Sequence, residues 1–310
     1  MTARVRFSVQ TPVESTTFAA LARHWQTAEM LGYDCAWLDD HFYSVTGPPT
    51  DDSLECWTLM AALARETTRL RFGTLVMCQS YRNPALLAKM AATLDHVSDG
   101  RLEFGLGAGW FENEYRAYGY DFPAMGARLR QLEEALEICT RLWHGDRATF
   151  SGRHYRIDDN TANPKPVQQP HPPIMIGGGG EKVLLRLVAQ YADCWNFGGS
   201  VDEFRQKIAV LDRHCAAVGR PPAAIERSWF GNIIIEPNQA KLDERVAKRA
   251  ARGHADAYGL NTLVGTPEQI IARLHEYIAA GVTHFIGMFG RVERLGATEL
   301  FAREVIPAFR

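Results

Sequence analysis

Strand-like and helix-like segments alternate along almost the whole chain, and that order constrains the fold more than any single motif. Short apolar runs at 4–9, 33–38, 70–77, 102–106, 174–176, 194–197, 229–235 and 284–288 read as eight buried strands. Helical patterns occupy 18–31, 54–66, 84–97, 128–143, 183–191, 201–218 and 267–279. The first carries Leu21, Trp25, Ala28 and Leu31 on one face, and the third opens on Pro84, which a first helical turn tolerates. In the fourth, Leu129, Leu132, Leu136 and Trp143 recur near helical spacing and read as the inner stripe of an outer helix. A strand-then-helix rhythm makes neighbouring strands parallel, because each crossover brings the chain back to the end where it started. Eight such units suit a closed (β/α)8 TIM barrel. With 310 residues, 46% of them hydrophobic, residues 1–310 can share the core of a single barrel domain.

Three stretches break the rhythm and read as insertions. Residues 39–53 form a polar loop containing Gly47, Pro48 and Pro49. Residues 149–173 begin with a hairpin-like segment at 150–155 and end in a proline-rich run. Residues 236–266 are charged and read as helical in their first half. Loops that follow barrel strands lie on the functional face, so the first and third are expected to help cover a pocket.

The balance of 34 basic against 36 acidic residues gives no general attraction to nucleic acid or an anionic membrane. No apolar run approaches bilayer length, and the first residues show no apolar signal core. The 6 cysteines form no C-x-x-C pair and most sit in apolar-periodic segments. They read as reduced, buried small hydrophobes of a cytoplasmic protein, with no zinc or other metal site expected. No Gly-x-Ser-x-Gly elbow is present, which leaves a hydrolase reading without support.

Pro172-Pro173-Ile174-Met175-Ile176 runs into four consecutive glycines, Gly177, Gly178, Gly179 and Gly180, with a helical pattern from Glu181. A turn without side chains at the start of a helix brings several backbone N–H groups and the positive helix end to one spot, which is what a phosphate needs. The spacing is not that of a dinucleotide-binding Gly-x-Gly-x-x-Gly turn. Gly265-Thr266-Pro267-Glu268-Gln269-Ile270, by contrast, reads as a helix start with Thr266 as N-cap and Pro267 at the first helical position.

Five segments in order resemble the bacterial luciferase-like superfamily, in particular its branch of oxidoreductases that use the deazaflavin coenzyme F420. They are Asp39-Asp40-His41-Phe42, residues 81–89, Gly105-Leu106-Gly107-Ala108-Gly109-Trp110 with Asn113-Glu114, the four glycines, and residues 265–270. The resemblance implies a luciferase-like barrel, usually a homodimer, with F420 as cofactor and FMN as the alternative. It implies that Asp40 and His41 lie beside the cofactor ring. His41, with Asp40, is the catalytic candidate and would assist proton transfer or hold a substrate oxygen, which suits an imidazole whose unperturbed pKa is about 6.5. It places a cis peptide at or next to Leu75–Val76 against the ring, Gly107, Ala108, Gly109 and Asn113 along the cofactor side chain, and the four glycines on its phosphate. His96, His144, His214 and His275 fall in helical patterns and read as structural or solvated.

Sugar-phosphate dehydrogenases of this branch carry a catalytic glutamate directly after the Gly-x-Gly, where this chain has Trp110. That departure argues against sugar phosphates. Trp110 and Phe42 are expected to wall a pocket for a small, weakly polar substrate. Three functions stay open at this point: an F420-dependent oxidoreductase, an FMN-dependent monooxygenase fed by a separate reductase, and a non-catalytic flavin-binding barrel.

Overall fold

A computed structural model of the protein describes residues 4–45, 47–251 and 261–310. Eight parallel strands close on themselves: β1 (Arg6–Gln10), β2 (Cys35–Leu38), β3 (Arg71–Thr74), β4 (Leu102–Gly107), β5 (Ile174–Gly177), β6 (Cys194–Phe197), β7 (Glu226–Ile235) and β8 (His284–Met288). Each pairs with its neighbours in sequence, and β8 returns to β1 in the register Arg6–His284 through Val9–Gly287. The (β/α)8 barrel expected from the alternation is the fold.

Side-chain alternation explains why these strands read as continuous apolar runs. Phe7, Val9, Ala36, Ile174, Ile176, Trp195 and Phe285 face outward and pack in the belt beneath the helices. Cys35, Trp37, Met175, Cys194 and Ile286 face inward and form a second apolar layer inside the barrel. A parallel sheet covered on both faces needs apolar residues at both parities.

The N-terminal end of the barrel interior is ionic. Glu103 accepts hydrogen bonds from Arg6 and from Arg71 Nε, the latter at 2.8 Å. Glu226 accepts from Arg6 at 2.9 Å and pairs with His284 Nδ1 at 3.0 Å, while His284 Nε2 lies 2.7 Å from Ser8 Oγ. Burial alone would raise the Glu226 carboxyl, but His284 and Arg6 outweigh it and hold it at about 2. Cys194, Glu226 and His284 converge as metal ligands would. Both ring nitrogens of His284 are already engaged, and Arg6 supplies the positive charge, so this floor is a satisfied ion network.

Several boundaries differ from those expected. The third strand stops at Thr74 and resumes as Met77–Cys78, which pairs with the upper half of β4, so Leu75 and Val76 leave the ladder. The seventh starts three residues early, and its upper half pairs with an unforeseen strand, Thr262–Gly265. The helix after the four glycines begins at Leu184, with a turn over 181–183. The 150–155 hairpin is present as Ala148–Ser151 against Arg156–Asn160. Within 236–266 a helix spans Gln239–Ala251, and residues 252–260 lie outside the described residues. Thr266 caps its helix, with its N–H donating to Gln269 Oε1 at 3.0 Å. Among the described residues, no helix is long and apolar enough to cross a membrane.

Candidate active site

A cavity of about 460 Å³ opens at the C-terminal end of the barrel. The loop after β2 contributes Asp40 and His41, and the break in β3 contributes Leu75, Val76, Met77 and Cys78. The turn after β4 brings Gly107, Ala108, Gly109, Trp110 and Phe111, and the turn after β5 brings all four glycines. The peptide bond between Leu75 and Val76 is cis, at the position the resemblance implies.

Two carboxylates organise one wall. Glu114 sits on a short helix, Glu112–Ala117, with its side chain fully buried. Its Oε2 lies 3.0 Å from His41 Nδ1 and accepts from Tyr81 Oη at 2.8 Å. Its Oε1 accepts from the backbone N–H groups of Phe42 at 2.5 Å and Tyr43 at 3.2 Å. Burial pushes the Glu114 carboxyl up, but these donors outweigh it and leave it below the usual carboxylate range. Burial likewise lowers His41, and the bond and charge of Glu114 reverse the sign, so the imidazole ends above its ordinary value. The imidazole meets Trp110 and Phe111 edge to face at 5.6 and 5.9 Å.

Asp40 is committed elsewhere. Arg82 grips it with two hydrogen bonds, of 2.8 and 3.0 Å, and the Cys78 N–H donates to it at 3.0 Å. The 81–84 motif therefore works as a clamp. Tyr81 reaches Glu114 and Arg82 holds Asp40, while Asn83 Oδ1 caps the next helix through Ala85 N–H at 2.9 Å, with Pro84 at its first position. Next to Asp40, burial pushes Asp39 up to about 6. The Cys78 thiol lies 2.8 Å from Tyr115 Oη, and burial pushes it up to about 11, so it stays protonated at neutral pH.

Small residues are required where the cavity meets this wall. Gly109 has φ +76°, and a Cβ there would fall 1.9 Å from Tyr115 Oη. At the opposite turn, the Gly178 N–H donates to Asn196 O at 2.9 Å. The N–H groups of Gly179 and Gly180 have no backbone acceptor among the described residues. Lys207, from the helix Val201–Val218, donates to Gly179 O at 2.8 Å and pairs with Glu181 at 3.3 Å. Of the two nearer cations in sequence, Arg186 is bound to Glu133 and Lys182 is exposed.

The structure brings together His41, Asp40, Leu75, Val76, Gly107, Ala108, Gly109, Trp110 and the four glycines. It does not bring Asn113 or Phe42 to this cavity. Asn113 is exposed and lines a separate depression with Tyr43 and Arg116, because the short helix turns its neighbour Glu114 inward instead. Phe42 packs between Tyr81 and Tyr118, with ring centroids 4.6 and 4.4 Å away. Trp110, at 59% exposure, stands at the rim. Sequence reasoning missed Glu114, Tyr81, Asn196 and Lys207. For Asn196 a signal existed: it is the one polar residue in an otherwise apolar strand.

The family described as luciferase-like monooxygenase matches residues 2–261. The chain belongs to that family. Among luciferase-like relatives, an FMNH(2)-dependent dimethylsulfone monooxygenase of Pseudomonas putida is 30% identical over 276 residues, covering 88% of this chain and 66% of its own length. An F420-dependent glucose-6-phosphate dehydrogenase of Rhodococcus jostii is 28% identical over 316 residues, covering 91% and 92%. The solved structure of an F420-dependent secondary alcohol dehydrogenase with an F420-acetone adduct matches 99% of this chain and 100% of its own with a TM-score of 0.84, at 23% identity, which shows a common fold. Family membership and these relatives support an oxidoreductase of the luciferase-like class and leave the choice between F420 and FMN open.

Proposed function

We propose that the protein is an F420-dependent oxidoreductase acting on a small, weakly polar organic substrate. The observation that carries this reading is the cavity lining, which among the described residues contains no lysine or arginine. FMN ends in a phosphate monoester that cations ordinarily match, whereas the singly charged phosphodiester of F420 suits a turn of backbone N–H groups. The residues present fit such a group. Gly179 and Gly180 offer N–H groups without backbone acceptors among the described residues, and Gly107 and Gly177 leave Val76 uncovered, since a Cβ on either would come within 2.7 or 3.1 Å of it.

Bound there, F420 supplies hydride transfer at C5 of its deazaflavin ring. The four glycines would hold the phosphate, Leu75 and Val76 would back the ring, and Gly107, Ala108 and Gly109 would border the side chain. Trp110, Phe111 and Met125 line the cavity and would keep water from a bound substrate. His41 would exchange a proton with a substrate oxygen or nitrogen.

The test is a side-by-side titration of the purified protein. F420 should bind at least about tenfold more tightly than FMN, about 1.4 kcal/mol. Equal or tighter FMN binding overturns the reading. It would favour the second one, an FMN-dependent monooxygenase, which the ammonium of Lys207 at the glycine turn and the Pseudomonas relative support. Rapid reaction of the reduced protein with oxygen would mark that alternative.

Gly180→Val tests the phosphate turn. Gly178 has φ +129°, where any side chain is strained, and a Cβ on Gly179 would meet Phe197 at 2.6 Å. At Gly180 the nearest atom is Leu184 Cβ at 3.5 Å, so the fold should survive while the new side chain crowds the turn. Cofactor affinity should fall at least about tenfold with an unchanged melting temperature. Unchanged affinity would place the phosphate elsewhere.

A further inference from the structure

Glu114 is surrounded by donors. Two backbone N–H groups point at Oε1, and the Tyr81 hydroxyl points at Oε2 beside the imidazole of His41. The Phe42 and Tyr43 N–H groups can only donate, and against burial the donors together hold the carboxyl below the usual carboxylate range, so Glu114 is ionised. An ionised carboxylate accepts all four. His41 Nδ1, 3.0 Å from an acceptor-only oxygen, must then carry a hydrogen in either charge state of the ring. The other nitrogen, Nε2, has no hydrogen-bond partner among the described residues, and His41 lines the cavity.

We propose that Glu114 is a positioning residue that holds His41 in the Nδ1–H form and makes Nε2 its single proton-exchanging atom. The inference deepens the proposed function by assigning the proton transfer to one atom, and it holds for either cofactor. In the forward step a substrate O–H or N–H bond breaks, its proton forms the Nε2–H bond, and its electron pair stays on the substrate atom. The imidazolium charge is met by Glu114, which accepts the Nδ1–H throughout and takes up no proton itself. The reverse step returns the proton from Nε2. Tyr81, bonded to the same carboxylate oxygen, helps fix its orientation.

The groups that bear on His41 from the elements around it are few. Asp39 and Asp40 lie on its own loop, Glu114 on the short helix, and Cys78, Tyr81 and Arg82 after β3; Arg82 already offsets Asp40.

The experiment is 15N–1H correlation spectroscopy of the histidine rings in the whole protein without added cofactor, from pH 5 to 9, with His41→Gln used to assign the signals. Wild type should show a protonated Nδ1 at every pH and a titrating Nε2, with a midpoint above the ordinary histidine value. Glu114→Gln should lower that midpoint by at least about one pH unit, the effect of removing an adjacent opposite charge, and admit the Nε2–H tautomer. A purely structural Glu114 would leave both unmoved. An Nε2–H tautomer in wild type overturns the proposal even where Glu114→Gln fails to fold, as does an unshifted midpoint in a folded variant. Because no cofactor is present, failure of F420 to bind leaves this result intact, and the two readings fall separately.

Discussion

Replacing His41 with alanine should lower turnover by about 10²–10⁴-fold, the usual contribution of a positioned acid–base group, while the cofactor still binds. His41 lines the cavity, is anchored through Nδ1 to a fully buried carboxylate, and is backed by Trp110 and Phe111. The anchor also joins the loop after β2 to the short helix after β4. The comparison is made with the best substrate from a screen of ketones, enones and imines, alongside cofactor titration and a melting curve. Turnover close to wild type, with the cofactor bound, would reduce His41 to a wall residue. The pH dependence has a definite sign. A histidine raised by its partner adds stability that is present below its unfolded pKa, about 6.5, and is lost as pH rises through its folded value. Glu114, lowered by its donors, adds stability that is present above its unfolded pKa and is lost as pH falls through its folded value.

Arg82→Met should destabilise the protein by about 3–5 kcal/mol, the cost of removing one partner from a buried ion pair. The Asp40 side chain is fully buried, and that of Arg82 is 10% exposed. Without the guanidinium, among the described residues only the Cys78 N–H still donates to the Asp40 carboxylate. Methionine approximates the length and apolar stem of arginine, so the loss reports charge more than volume. Adding Asp40→Asn should recover most of it, because a neutral amide in the same place leaves no buried charge unpaired. Urea unfolding of the two single variants and the double variant measures this. A loss below about 1 kcal/mol, as for exposed pairs, would show that the pair is solvated and that Asp40 is free for another role.

These two residues show where sequence reading succeeds and where it stops. His41 and Asp40 were recognisable as a polar pair just past a strand end, and the structure places both at the cavity. Their different situations were not recognisable, because they depend on partners 73 and 42 residues away, Glu114 and Arg82. Asn113 and Glu114 illustrate the same limit. As neighbours in sequence they look equally suited to a site, but a helix turns adjacent residues about 100° apart. Only the packing of the Glu112–Ala117 helix decides that Glu114 faces in and Asn113 faces out.

By itself, the sequence determined the barrel, the order of its strands and the glycine turn after β5. Those features rest on local periodicity and on the backbone freedom of particular residue types, which act over a few residues. Tertiary structure alone decided that Thr262–Gly265 extends the sheet, that Lys207 reaches the glycine turn from the next helix, and that one carboxylate gathers His41, Tyr81 and the loop backbone. Each is a contact between distant segments, set by where strands and helices pack, and no local pattern encodes it.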